Sequence, residues 1–393
     1  MPLLPVADAQ ARVLALAAPL PVEQVPLADA AHRYAAADVP ALRTQPASDL
    51  SAMDGYAIRH ADLGRPLRLI GESAAGRPFT GAVRVGETVR IFTGATMPAG
   101  ADCVLVQEEA RAEGGVIHLA GEGPAAPGRN VRRRGLDFTD GDVLIPAGAA
   151  ITPARLAVAA IGGHATLPLR ARVRVAIAAT GDELVSAGQR IGAGQLPESN
   201  GVMLAAMLSP LGADIVDLGI LPDRADALEA AFRAVDADVL VTTGGASVGD
   251  HDLVRPALEA AGAAIDFWRI ALRPGKPMMA GRLGSTVVLG LPGNPVSAFV
   301  TAELFVKPLV RHLAGAADPF PGVVTIPLGE DLPANTERTD YLRAELRGGA
   351  AFASTIQDSS MLRTLARSTC LIVRPPHAPV ACEGDSAEIL MIA

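Results

Sequence analysis

Cysteine is almost missing from this sequence. Cys103, Cys370 and Cys382 are all that 393 residues contain, and they lie far apart. No C-x-x-C pair occurs, so the spacing gives no support to a zinc site, and so few thiols fit a reducing cytoplasm. A surplus of positive charge is also missing. Lysine and arginine total 34 against 42 acidic residues, a net charge of −8, which argues against nucleic acid as the main partner. No uncharged apolar run reaches the roughly 18 residues that a membrane helix needs. The first stretch, MPLLPVADAQARVLALAAPL, lacks a basic leader and is punctuated by Asp8 and Arg12. It reads as an amphipathic helix, not a signal peptide. Internal repeats, coiled-coil heptads and low-complexity tails are absent too.

What is present is ample apolar material, at 50% of residues. A chain this long exceeds one ordinary core, so two to four domains are expected. Residues 6–18 carry apolar positions at helical spacing. From Arg65 to Val143, short apolar runs alternate with Gly and Pro turns, which predicts a small β domain. Within it lies a basic knot, Arg132-Arg133-Arg134. Thr152-Pro153 opens a helix that Gly162-Gly163 ends. From about 170 to 315 strands alternate with helices, which predicts a doubly wound α/β domain. Pro295-Val296-Ser297 opens a long helix, ending near Leu313. After Pro319 the helices stop, and short strands with polar joints predict a small β-barrel or sandwich.

The α/β region is organised around Val239–Asp252, VLVTTGGASVGDHD. A β-branched run stops at two glycines, and a helix-like segment follows. Such a turn aims backbone N–H groups at an anion, and Gly244 and Gly245 let a ligand approach the backbone. Ser247 can donate a hydroxyl hydrogen bond to a phosphate oxygen. Asp250 and Asp252 suit a hard cation beside that anion, although a helix start also favours carboxylates for its own sake. The loop is neither a Walker A motif nor G-x-G-x-x-G. Glu183 and Asp223 also follow apparent strands, and ligands of such folds sit outside the carboxyl ends of the strands.

Eight pieces occur in order: SAMDGYA (51–57), RIFTGATMPAGAD (90–102), NVRRRGLD (130–137), ATGDEL (179–184), TTGGASVGDHD (242–252), RPGKP (273–277), LPGNPVSA (291–298) and SSML (359–362). Together they closely resemble the molybdopterin molybdenumtransferase family, which includes MoeA proteins and the gephyrin E domain. The resemblance covers nearly the whole chain and implies an α/β multidomain protein. Its parts would be an elongated mixed domain in two segments (1–44 and 136–168), an inserted β domain (45–135), an α/β molybdopterin-binding domain (169–318) and a C-terminal β-barrel (319–393). It implies a cytoplasmic homodimer with the active site between subunits. Molybdopterin adenylyltransferase, molybdoenzymes or cofactor carriers would be further partners. The implied activity inserts molybdate into adenylylated molybdopterin, with Mg²⁺ assisting and AMP released.

The resemblance assigns roles to particular residues. Glu183, Asp223 and Asp252 would hold Mg²⁺. Gly244, Gly245 and Ser247, with Pro292, Gly293 and Asn294 of the LPGNP turn, would bind the pterin phosphate. Asp54 and Thr93 join the catalytic set, although Asp54-Gly55 is also an ordinary turn signal. Molybdate, a tetrahedral dianion, needs several fixed donors. Lys276, Ser297, Arg343 and Ser360 would supply them, with Ser359 an alternative to Ser360. Arg273 stands where many relatives carry lysine, which changes the donor geometry. His251 reads as a loop residue. Two rival readings remain: an adenylyltransferase or related nucleotide enzyme on the same α/β scaffold, and a gephyrin-like scaffold without catalysis.

Overall fold

The computed structural model describes residues 3–244 and 253–392. The chain forms two compact units: Met1–Ala37, Ala147–Thr152 and Leu167–Ala393 make one, and Asp38–Pro146 with Pro153–Thr166 the other.

The larger unit contains a six-stranded sheet. Its strands are β1 (Arg174–Thr180), β2 (Asp214–Leu221), β3 (Val239–Thr243), β4 (Ala264–Arg269), β5 (Pro277–Leu283) and β6 (Thr286–Leu291), in the spatial order β2-β1-β3-β6-β5-β4. The first four in that order run parallel, and β5 and β4 are antiparallel additions at the far edge. Helices cover both faces. One face of β1, through Val175 and Ile177, meets Leu204 and Leu208 of α1 (Asn200–Leu208). The other face, through Ala176 and Leu240, meets Leu228 and Phe232 of α2 (Ala225–Arg233) and Leu258 of α3 (Val254–Ala260). Burial on both sides is why these strands read as unbroken apolar runs.

The helix that starts at Pro295 is not uniform. An α-helical segment, α4 (Pro295–Thr301), passes through a π-turn at Ala302–Val306 and resumes over Lys307–Leu313. Pro308 has no N–H to give to the regular ladder, and a π-turn accommodates that loss.

The C-terminal strands are β7 (Val323–Pro327), β8 (Thr339–Arg347), β9 (Ala350–Ala353), β10 (Cys370–Arg374) and β11 (Ser386–Met391), with α5 (Leu362–Arg367) between β9 and β10. They pair as β8-β10-β11-β7, and β9 pairs with β8. A bridge from Leu328 to Ala351 joins the end of β7 to β9, so the sheet closes on itself around Leu332, Ala344, Ile372 and Ile389. Leu272–Arg273 pairs in parallel with the start of β8. Part of the RPGKP segment is therefore an edge strand of the C-terminal sheet.

The smaller unit carries its own six-stranded sheet, built from Gly55–Ile58, Leu67–Ser73, Glu87–Ile91, Cys103–Val106, Ala110–Glu113 and Val116–Leu119. Helix Pro153–Gly162 belongs to the same unit. Among the described residues no helix is long and apolar enough to cross a membrane.

Candidate active site

The register of the parallel strands sets the site. Thr243 pairs with Leu291 and Ala179 with Thr243, so β1, β3 and β6 end side by side. Their carboxyl ends release Gly181–Glu183, Gly244 and Pro292–Asn294 at one edge of the sheet. A cavity of about 610 Å³ opens there, lined by Glu183, Gly244, Pro292, Gly293, Asn294 and Ser360 among others. Gly244 holds φ +88°, and a Cβ on it would lie 2.5 Å from the Thr180 carbonyl oxygen. Only glycine fits so close to the neighbouring strand. Gly293 packs against it, with its ideal Cβ position 3.6 Å from the Gly244 Cα. The two glycine turns form a floor without side chains, open to a ligand that binds backbone N–H groups.

Two residues that sequence reasoning left without a role, Asn200 and Asp182, lie at this edge of the sheet. Asn200, at the start of α1, donates from Nδ2 to the Gly293 carbonyl at 2.8 Å. Asp182 and Asp223 clasp each other: the Asp223 N–H donates to Asp182 Oδ1 at 3.1 Å, and the Asp182 N–H to Asp223 Oδ2 at 3.4 Å. Both signals lay in the sequence, because each residue directly follows a strand or opens a helix in the same layer. Partial burial raises the Asp223 carboxyl above its ordinary value. The Asp182 N–H opposes that rise, and the nearby charges of Asp182 and Glu183 add to it. Acidic groups that crowd one another in this way are a setting for a cation.

The barrel contributes through residues 354–361. The Asn294 side chain donates to Ser359 Oγ at 3.1 Å, and the Val296 N–H to the Ser359 carbonyl at 3.0 Å. Ser360 lines the cavity, with its hydroxyl and N–H both on Asp358 Oδ1 at 2.6 and 2.8 Å. Those bonds from Ser360 hold the Asp358 carboxyl below its ordinary value. Arg343 sits behind this segment, only 1% exposed. Its guanidinium donates to the carbonyls of Ile356 and Met361, both at 3.2 Å, and Gln357 returns a bond to the Arg343 carbonyl. Every one of these bonds holds the chain that carries Ser359 and Ser360.

Ser297 is buried in the first turn of α4, at 5% exposure. Lys276 is exposed and neighbours Pro277, which lines the cavity. The chain has only two lysines, and Lys307 is bound to Glu303 at 2.7 and 2.8 Å. Lys276 is therefore the one lysine without an ion pair among the described residues. Arg273, three residues earlier, pairs with buried Asp340 at 2.5 Å. Gly245, Ser247, Asp250, His251 and Asp252 lie outside the described residues. Asp54 and Thr93 belong to the smaller unit, where the Thr93 N–H and hydroxyl both donate to Asp54 Oδ1, at 2.7 and 2.8 Å. The Thr93 N–H bond, then its hydroxyl bond, hold the Asp54 carboxyl below 3.8.

With the geometry in place, comparison with known proteins is informative. The chain matches three family models: "MoeA N-terminal region (domain I and II)" over residues 4–163, "Probable molybdopterin binding domain" over 176–312, and "MoeA C-terminal region (domain IV)" over 325–392. It is 36% identical to the molybdopterin molybdenumtransferase of Haemophilus influenzae, over 94% of each chain. It is 34% identical to molybdopterin molybdenumtransferase 2 of Mycobacterium tuberculosis, over 93% of this chain and 94% of that one. A solved structure of a molybdopterin biosynthesis MoeA protein from Pyrococcus horikoshii superposes over 100% of both chains, with a TM-score of 0.84 at 26% identity. The chain belongs to the molybdopterin molybdenumtransferase family.

Proposed function

We propose that this protein is the enzyme that inserts molybdenum into molybdopterin during molybdenum cofactor biosynthesis. The observation that carries the reading is the match to molybdopterin molybdenumtransferases over 93–94% of the chain, joined to a cavity where five of the eight quoted motifs meet. In finer detail, the substrates are molybdate and adenylylated molybdopterin, and AMP is released. The glycine turns at Gly244 and Pro292–Asn294 receive the phosphate through backbone N–H groups. Lys276 and the serines at 359–360 face the oxyanion, and Arg343 acts on it through the segment it holds. Donors fixed in advance offset the repulsion between molybdate and the dithiolate.

Mg²⁺ belongs to this reading too. No group of three or more His, Cys, Asp or Glu side chains among the described residues forms a metal cage. Magnesium rarely uses such a cage. It binds one or two carboxylates together with waters and substrate phosphates. Glu183 and Asp223 fit that pattern, the Asp223 carboxyl being raised first by partial burial and then by the nearby charges of Asp182 and Glu183, with Asp252 as the third candidate. Bound there, Mg²⁺ would neutralise phosphate charge as AMP leaves. A homodimer, a cytoplasmic setting, the catalytic use of Asp54 and Thr93, and the four-domain division complete the proposal.

The test is reconstitution. The purified chain, molybdate, adenylylated molybdopterin and Mg²⁺ should together activate an apo-molybdoenzyme and release AMP. Glu183→Gln and Asp223→Asn should each lower AMP release at least tenfold and leave substrate bound. Adenylylation of molybdopterin from ATP by this chain alone would instead favour the adenylyltransferase reading.

A further inference from the structure

A second cavity, of about 410 Å³, lies in the C-terminal domain away from the strand ends just described. Its wall carries Arg347 and Glu345 of β8, Arg363 and Arg367 of α5, and Ser354 and Thr355 of the segment after β9. Glu345 and Arg347 are two apart on a strand and share a face. Arg363 and Arg367 are four apart on a helix and share a face too. Three arginines against one glutamate leave two positive charges.

The bonding of these groups is incomplete. Glu345 is divided between two guanidinia, Arg347 Nε and Arg367 Nη2, each at 3.5 Å. Arg347 also lies over the Phe352 ring, 5.0 Å from its centroid. The Arg363 side chain makes no hydrogen bond or ion pair among the described residues. Two like charges at i and i+4 disfavour a helix. A plain surface helix gains nothing from that placement, but an anion between them turns it to use. Guanidinium forks match the oxygens of a tetrahedral oxyanion, and the Ser354 and Thr355 hydroxyls can serve oxygens at the rim.

We infer that this second cavity binds a phosphate dianion, either free or as the monoester of a small molecule. The same segment runs from Ser354 and Thr355 in this cavity to Ser360 in the first one, with Arg343 holding Ile356 within that span and Met361 just past it. An occupant here therefore steadies the chain that presents Ser360.

Calorimetric titration of the full chain with inorganic phosphate, at low ionic strength, tests the site. Wild type should bind, and Arg363→Ala/Arg367→Ala should bind at least tenfold more weakly. Arg363→Gln, a single change at an exposed position, should lose about fivefold and keeps the test valid if the double variant fails to fold. Hydrogen exchange across residues 354–361 should slow on adding phosphate to wild type and stay unchanged in the double variant. A titration with AMP separates this site from the proposed function. Two AMP per chain in wild type and one in the double variant support both. One in wild type and none in the double variant keeps this site and removes AMP from the first cavity. Equal phosphate affinity in wild type and both variants, no binding at millimolar phosphate, or protection confined to residues 176–300 would overturn the inference.

Discussion

Two glycines at the floor of the first cavity give opposite expectations for the same substitution. Gly244→Ala adds a methyl 2.5 Å from the Thr180 carbonyl oxygen and 2.9 Å from its hydroxyl, at φ +88°. The left-handed backbone costs about 1–2 kcal/mol for an L residue. Pushing the β1 backbone aside adds about 1–3 kcal/mol. Together they predict a loss of about 2–5 kcal/mol, which at roughly 2–4 °C per kcal/mol is a fall of about 4–20 °C in apparent Tm. Gly293→Ala has no such cost. Its methyl would meet Gly244 Cα at 3.6 Å and Gly244 N at 3.9 Å, an ordinary contact, so stability should change by no more than about 0.5 kcal/mol. Yet that methyl stands over the Gly244 backbone, where the phosphate of a bound ligand would approach. Affinity for AMP should therefore fall at least tenfold, about 1.4 kcal/mol. Differential scanning calorimetry and titration with AMP measure both effects. Wild-type affinity in Gly293→Ala would refute the claim that the phosphate sits on this floor. An unchanged Tm in Gly244→Ala would refute the packing on which the claim rests.

Other consequences follow from buried and polar partners. Arg343→Met leaves the carbonyls of Ile356 and Met361 without their donor, so the urea midpoint should fall by the equivalent of about 2–4 kcal/mol, and hydrogen exchange over 354–361 should quicken. Unchanged exchange there would mean that Arg343 does not hold the segment. Thr93→Val removes one of the two bonds to Asp54 but keeps the backbone N–H, the larger influence. The Asp54 carboxyl should titrate higher than in wild type, as read by carboxyl carbon NMR. Because the folded value is depressed, those bonds stabilise the smaller unit above pH 3.8 and lose their effect as pH falls through the folded value. Thr93→Val should therefore differ from wild type near neutral pH and converge with it in acid.

Much of the larger unit was legible in the sequence, for a physical reason. A sheet buried on both faces writes itself as runs such as VRVAIAAT and VLVTT, and ligand turns follow the ends of those runs. Gly244, Pro292, Gly293 and Asn294 come together because register makes β1, β3 and β6 end level. Contacts made by two residues over long separations were not legible. The pairing of Leu272–Arg273 with the start of β8 leaves no periodic trace, nor does the hold of Asn200 on Gly293. The uniform helix expected from Pro295 to Leu313 contains a π-turn, because Pro308 interrupts a pattern that apolar spacing alone does not register.

Arg343 shows where strand periodicity misleads. In DYLRAELR, alternation sets Leu342, Ala344 and Leu346 toward the barrel interior, where they join its core. Tyr341, Arg343 and Glu345 fall on the other face, which a lone barrel would turn to water. Here that face is covered in three steps. Tyr341 enters the α/β core, Arg343 is buried under residues 354–361, and Glu345 borders the second cavity. An arginine on an outer strand face is buried only when another segment lies over it, and the guanidinium then has to satisfy that segment's carbonyls. The same strand face thus connects the α/β core, the Ser360 segment and the arginine-lined cavity. A change at any of the three positions should be felt at Ser360 in proportion to its bonds to residues 354–361. Arg343 should dominate, and Glu345→Gln should act only through the arginines it divides.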